Sequence, residues 1–295
     1  MVISETTAQL NGAPRLKTGV QMIDDGIYTF EEDEYLEFIS KEPNSIALFK
    51  KFVGGDEYIN GHYRYILYLA NTEPQILKSL PLVTERIQRV RDYRSKSSRS
   101  STVAMSNYPT QLGVDERLSS SYLVIPNTSS ERREYIPIGW LEPDIIANQK
   151  LRILANPDLY DFALLTSRMH MAWMRTITGR MKSDYMYSVG VVYNNFPWPD
   201  IDDAAKDKIR PLAQAILDAR AAHEGATLAD LYDPLTMPPD LRKAHLTLDQ
   251  AIDRLYRREA FPSDRERVEH LFGLYEKLTA DLFTEAPKKK GRKKR

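Results

Sequence analysis

No cysteine occurs in the 295 residues. That absence excludes a disulfide scaffold, a cysteine-bound zinc, an iron–sulfur cluster and a thiol nucleophile. No run of about 18 apolar residues is present either. The N-terminus, MVISETTAQLNG, has neither a basic region nor an apolar core. A membrane span and a secretion signal are therefore not expected, and the cytoplasm is the expected compartment. Histidine is scarce. His62, His170, His223, His245 and His270 stand singly, without metal-ligand spacing, so no metal site is expected. The GxSxG elbow and the phosphate-cradling GxxxxGK[ST] loop are missing too, and no residue is assigned a catalytic role.

A net charge is the last thing lacking: 41 basic residues balance 41 acidic ones. The balance hides blocks of opposite sign. Residues 1–60 hold 5 basic and 11 acidic groups, and residues 61–100 hold 8 and 3. Residues 200–284 return to acid, with 12 and 17, and the chain ends in KKKGRKKR. A polyanion would meet the positive blocks, because its affinity comes from displaced counterions. At 34.0 kDa the chain is long enough for about two domains. Its 42% hydrophobic and 28% charged content is that of a globular protein that needs no staple for its core.

The first 30 residues read as an irregular lead-in, punctuated by Asn11-Gly12, Pro14 and Asp25-Gly26. Residues 31–40 (EEDEYLEFIS) read as a helix with an acidic start and Tyr35, Leu36 and Ile39 inward. HYRYILYL at 62–69 alternates as a strand, with Asn60-Gly61 as a hairpin turn before it. Residues 73–94 read as helical, kinked or divided at Pro81, and SKSSRSST at 95–102 as a mobile loop. Strands are expected at 121–126 and 134–140, and one helix at 159–177 striped by Phe162, Thr166, Met169, Trp173 and Ile177. His170 beside that stripe reads as a packed or hydrogen-bonded residue. Val189, Val191 and Tyr193 suggest a short strand. Beyond residue 200 only helices are expected, at 204–223, from Asp240, and after the capping box Ser263/Glu266. The fold class is thus α+β: a mixed α/β domain followed by a small all-helical one.

Asn195-Phe196-Pro197-Trp198 resembles the Asn-Pro-Pro-aromatic loop of amino-methyltransferases, but Phe stands at the first proline and no glycine-rich turn accompanies it. It reads as a structural proline–aromatic corner.

Three longer stretches carry more weight. ERREYIPIGWL, LLTSRMHMAWMRTITGRMKSDYMYS and VVYNNFPWP, all within 131–199, resemble the target recognition domain of the MmeI-like DNA methyltransferases of type IIG restriction–modification systems. GGDEYINGHYRYILYL resembles the start of that domain. MPPDLRKAHLTLDQAIDRLYRREAFPSDRERVEHLFGLYEKL resembles the family's small helical C-terminal domain. The resemblance implies a DNA target recognition domain at 45–199, a helical C-terminal domain at 200–284 and a disordered basic tail at 285–295. GVQMIDDGIY at 19–28 looks like the trailing end of a methyltransferase domain, which assigns 1–44 to a lead-in. Full enzymes of the family join this region to a nuclease and an S-adenosylmethionine-dependent adenine-N6 methyltransferase. Their catalytic Asn-Pro-Pro-Tyr loop is absent here, so no activity is expected of this chain alone, and S-adenosylmethionine is expected in a catalytic partner or missing domain.

Double-stranded DNA is the implied partner. In GRMKSDYMYS at 179–188 an extended backbone would project Lys182, Asp184 and Met186 from one face, and in the family these positions carry specificity. Lysine donates to guanine and aspartate accepts from cytosine, so Lys182 and Asp184 together suit one G·C pair. A second set of base readers is Asn148, Gln149 and Lys150, where the amides suit adenine and lysine suits guanine. Arg86, Arg89, Arg94, Lys96 and Arg99 cluster with serines and few acids, as phosphate contacts do. Arg168, Arg175 and Arg180 either hold phosphates or brace a helix.

Three readings stay open at this point. The chain reads DNA by itself; it is a complete enzyme with unrecognised motifs, which would bind S-adenosylmethionine; or it is an interaction subunit or truncated fragment that acts only when docked to a separate methyltransferase or nuclease chain.

Overall fold

Short aromatic and β-branched runs between glycine and asparagine turns build the first of two units in this computed structural model, which describes residues 3–284. The basic tail expected at 285–295 lies outside the described residues. The architecture is mixed α/β with a helical C-terminal region. One unit, α/β, comprises Leu16–Asp158 and Ala222–Pro238; the other, mainly helical, comprises the described parts of 1–15, 159–221 and 239–295.

The α/β unit holds strands β1 (Leu16–Thr18), β2 (Thr29–Phe30), β3 (Phe49–Val53), β4 (Arg64–Leu67) and β5 (Tyr122–Pro126). Then follow β6 (Thr128–Ser129), β7 (Gly139–Leu141), β8 (Ile145–Ala147) and β9 (Leu151–Leu154). Two four-stranded sheets result, in the orders β1-β9-β5-β7 and β2-β4-β3-β8. Both are antiparallel apart from the β3–β8 pair, which sets Lys51 beside Ile145 and Val53 beside Ala147. Tyr122 bolts the sheets together. Its buried hydroxyl donates to Ile145 O at 2.7 Å and accepts from Ala147 N–H at 3.1 Å.

Helices α1 (Glu32–Lys41), α2 (Gly55–Asn60), α3 (Pro74–Lys78), α4 (Pro81–Ser95) and α5 (Ser100–Ala104) flank these sheets. Glu31 and Glu34 form the capping box that starts α1. Phe38 is its buried residue, packed edge-on to Phe30 and Phe49, whereas Leu36, expected inward, is exposed. Pro81 divides the helical stretch, standing in the first turn of α4 where its missing N–H costs nothing. Gly61 closes α2 in the left-handed conformation, so Asn60-Gly61 is a helix stop and not a hairpin. The loop expected at 95–102 gives way to α5 after a short turn. In 134–140 only Gly139 onward pairs as strand.

The helical unit holds α6 (Leu159–Thr166) and α7 (Arg168–Ile177), where one helix was expected. The break is local chemistry: Ser167 leaves the helical conformation and its hydroxyl caps α7 by accepting His170 N–H at 3.3 Å. A hairpin, β10 (Gly179–Met181) and β11 (Asp184–Met186), follows, then a π-helical turn at Val189–Tyr193 where a strand was expected. Chain residues 4–14 lace onto this turn. Asn194 Nδ2 donates to Thr6 O at 2.7 Å and Tyr193 Oη to Pro14 O at 2.7 Å. Helices α8 (Asp203–Ala221), α10 (Pro239–Tyr256) and α11 (Asp264–Thr284) complete the unit; the short α9 (Leu228–Leu231) belongs to the α/β unit.

Packing does not divide the chain at residue 200. The stretch 159–199, expected to close the α/β domain, joins the helical unit because α6 packs on α8 and α7 on α11. Residues 1–44, expected as a lead-in, contribute to both four-stranded sheets. They supply β1 and β2, each an edge strand of one sheet.

Candidate nucleic-acid interface

A cleft of about 550 Å³ opens in the α/β unit where three distant segments converge. They are the loop 20–26, the end of α4 with the turn after it, and residues 148–150. The 148–150 corner is fixed by Asn148. Its N–H donates to Val53 O at 2.8 Å and its Oδ1 accepts Lys150 N–H at 2.7 Å. The amide is packed so tightly on Gly54 that a Cβ there would lie 2.6 Å from Nδ2. Gly19 is needed for the same corner, since its Cβ would meet Asn148 O at 2.4 Å. Asn148 is therefore the frame of the corner, not a base reader: it is buried and its acceptor oxygen is already used. The frame turns Gln149 and Lys150 outward, and both are exposed in the cleft.

The α4 cluster divides in a way its sequence hides. Arg89, Lys96 and Arg99 are exposed, and Arg99 lines the cleft beside Gln149 and Lys150. Arg94 is fully buried and is corrected from phosphate contact to structural bolt. Its guanidinium donates to five carbonyl oxygens: Met22, Ile23, Met105, Tyr108 and Gln111, at 2.8–3.3 Å. Burial pulls its pKa down from the ordinary arginine value, while the neighbouring Tyr28 and Asp24 oppose the shift. Arg86 is corrected likewise. It donates to Ile27 O at 2.8 Å and lies 4.5 Å over the Phe30 ring, so its planar face is spent on the core. Arg64, at the cleft wall, is paired with Glu57 at 2.6 Å.

In the helical unit, the first set of expected readers, Lys182, Asp184 and Met186, sits on the β10–β11 hairpin. Lys182 is not part of an extended strand. It is the first turn residue, at φ 57°, exposed at the tip. Asp184 and Met186 do share one face of β11, opposite Met181 and Gly179, while Tyr185 points to the other face and is buried. No ion pair joins Lys182 to Asp184 among the described residues. Arg180 braces the hairpin. Its guanidinium stacks 4.5 Å from the Tyr185 ring centre and donates to Ser183 O at 3.1 Å.

Arg168 and Arg175 brace helices too. Arg168 Nε donates to Asp264 Oδ1 at 2.7 Å, and Arg175 approaches the other oxygen at 3.8 Å, tying α7 to α11. Arg168 N–H also donates to Asp249 at 2.7 Å. His170 is fully buried, with Nε2 2.8 Å from Tyr187 Oη, and burial alone lowers its pKa to about 3. Asn195 spends its amide N–H groups on the carbonyls of Ser4, Gly190 and Val191, and Phe196 packs edge-on to His170. That is the proline–aromatic corner expected from the sequence. Among the described residues no group of three or more His, Asp or Glu is placed to hold a metal, and no helix is long and apolar enough to cross a membrane.

Sequence reasoning overlooked the loop 20–26 as a wall of the cleft. Its one local signal was Asp25-Gly26, read as a turn within the stretch 19–28 that resembles the end of a methyltransferase domain.

Comparison with known proteins places this arrangement among relatives. Residues 1–200 match the family model of the MmeI target recognition domain, and residues 201–283 match that of the MmeI C-terminal domain. DNA methyltransferase A of Bacillus subtilis (strain 168) is 38% identical over 279 residues, which is 95% of this chain and 32% of that protein. A solved structure of the type IIL restriction–modification enzyme MmeI in complex with DNA superposes with a TM-score of 0.93 at 36% identity, over 95% of this chain and 37% of that one. The chain thus spans about a third of the length of these relatives.

Proposed function

The chain belongs to the MmeI family, and from that membership we propose that it is the part of a restriction–modification enzyme that reads double-stranded DNA by sequence. The observation that carries this reading is the cleft that Arg99 lines together with the distant pair Gln149 and Lys150, all three exposed and without ion pairs among the described residues. Lysine and glutamine there have the donors that base edges require; Arg99, with Lys96 and Arg89 nearby in sequence, supplies charge for phosphates. The hairpin gives a second reading element. Lys182 suits guanine and Asp184 suits the amine of its paired cytosine, with Met186 offering an apolar contact.

On this reading methyl transfer to adenine N6, and the S-adenosylmethionine it consumes, belong to another part of the enzyme, in the same cytoplasmic compartment. On the same reading the functional division lies near residue 200, which the meeting of the two family models there supports. The competing reading, in which the chain is an interaction subunit or fragment, differs in one respect: sequence preference appears only with a separate catalytic chain.

The test is selection of the full chain on a randomised duplex library at two salt concentrations. Enrichment of a short motif supports autonomous reading. Binding without enrichment, steeply weakened by salt, would reject autonomous reading and favour the docked subunit.

A further inference from the structure

The loop 20–26 is held in a conformation that Ile23 does not favour. Ile23 has φ 52°, and Asp25 and Gly26 follow at 55° and 75°. A β-branched residue at positive φ is an outlier that persists only where the surroundings over-determine it. Here they do so on every side. Val20 N–H donates to Ala147 O at 2.8 Å, and Gln21 O accepts Gly113 N–H at 2.8 Å. Arg94 binds the carbonyls of Met22 and Ile23. The Ile23 side chain rests on Gly113, where a Cβ would come within 2.4 Å of it. The Asp24 carboxylate accepts Tyr28 N–H at 2.8 Å and Gly26 N–H at 3.3 Å, and Tyr28 Oη is anchored on Pro109 O. Between these fixings, Asp25 and Gly26 stand exposed in the cleft that also holds Gln149, Lys150 and Arg99.

The Asp25 carboxylate makes no hydrogen bond or ion pair among the described residues. A bare carboxylate in a cleft meant for a polyanion repels the phosphates, unless it meets a donor on the ligand. Base edges in the major groove offer one, the N4 amine of cytosine. Resting on the DNA-reading function above, we propose that Asp25 is a specificity-determining residue that accepts a hydrogen bond from a cytosine amine, with the strained loop as its mount. Ile23 acts as a positioning residue through the backbone.

The experiment is library selection and competition binding with the full chain as wild type, Asp25→Ala, Asp25→Asn and Ile23→Gly, with melting temperature recorded for each. The expected result is a loss of about 5- to 100-fold in preference for cytosine at one position in Asp25→Ala, with the other positions unchanged. Asp25→Asn moves that position toward adenine, which an amide matches. Ile23→Gly weakens the same position alone. The salt dependence keeps its slope in all three, because no phosphate contact is removed. Unchanged preference at every position in Asp25→Ala, at wild-type melting temperature, would overturn the assignment and leave the DNA-reading function intact. A wild-type chain with no preference at any position would reject autonomous reading by this chain, and the role of Asp25 in it.

Discussion

The α/β unit and the helical unit each close their core over an arginine, and they satisfy it in opposite ways. Arg94 meets five backbone carbonyls and no carboxylate contact. Arg267 meets the Asp253 carboxylate through two nitrogens, at 2.5 and 3.0 Å, and Asp264 at 3.1 Å. The first cation organises chain, pinning loops 22–23 and 105–111 to the end of α4. The second organises helices, tying α10 and α11 together. In the helical unit two of the three expected phosphate contacts, Arg168 and Arg175, are likewise taken by a carboxylate, that of Asp264. In the α/β unit the buried cations leave Arg89, Lys96, Arg99 and Lys150 exposed.

The comparison breaks first at Arg94. Arg94→Ala orphans five carbonyls and leaves a cavity, for an expected loss of about 5 kcal/mol in urea unfolding. Arg94→Lys keeps charge but has too few donors for five acceptors in a fan, so it recovers only part of that loss. An Arg94→Lys protein as stable as wild type would refute the bolt.

Arg267→Met should cost about 3 kcal/mol, because Asp253 stays buried without its partner. The double change Arg267→Met with Asp253→Leu should return to within about 1 kcal/mol of wild type, as apolar replacements of buried ion pairs do. No such rescue exists for Arg94, whose partners are backbone. A double variant as weak as the single one would erase the contrast.

Acid should separate the units next. His170 and His245 are buried in the helical unit and burial lowers both pKa values. Each binds a proton more readily unfolded, so stability is intact above pH 6.5 and falls as pH drops below it. With a folded value of about 3 for His170, the loss at pH 5 is about 2 kcal/mol from that residue. In the α/β unit burial raises the Asp24 pKa, which works the other way: its contribution is fully present below pH 3.8 and is lost as pH rises through the raised value. Trp173 and Trp198 report the helical unit and Trp140 the other. Fluorescence of Trp140→Phe, which keeps only Trp173 and Trp198, should therefore show the helical unit loosening between pH 6.5 and 5.

The smallest effects concern binding. Lys150→Ala and Arg99→Ala should each leave folding unchanged and lower the salt slope of DNA affinity by about 1 if the lost charge met a phosphate. Arg175→Ala should leave the slope alone. A Lys150 that changes base preference but not slope is a base reader instead.

Much of the secondary structure was legible locally. The acidic start and apolar spacing of 31–40 gave α1, and the alternation in 62–69 contained β4. The helix expected from Asp240 is α10, with Leu241, Leu248 and Ile252 as its buried apolar line. What failed depended on partners. Residues 16–18 and 29–30 have too little pattern to announce a strand, and become one only because β9 and β4 offer them free edges. Ser167 looked like a helix interior until its hydroxyl was seen to cap α7. Among the site residues, Gln149, Lys150, Arg89, Lys96 and Arg99 were found as exposed polar groups, whereas Asn148, Arg86 and Arg94 were not separable from them by type.

The sequence by itself determined the family, the mixed fold, the helical end and the pool of cations and amides from which an interface is drawn. These follow from residue type, spacing and long ungapped stretches, all of which are local along the chain. Only the tertiary structure decided which members of that pool face solvent. A guanidinium is equally charged on a surface and in a core; what distinguishes Arg94 from Arg99 is five carbonyls brought from two segments of chain, 22–23 and 105–111. The loop that carries Asp25 into the cleft lined by Lys150 has the same origin, since Ile23 does not favour the conformation that its neighbours impose.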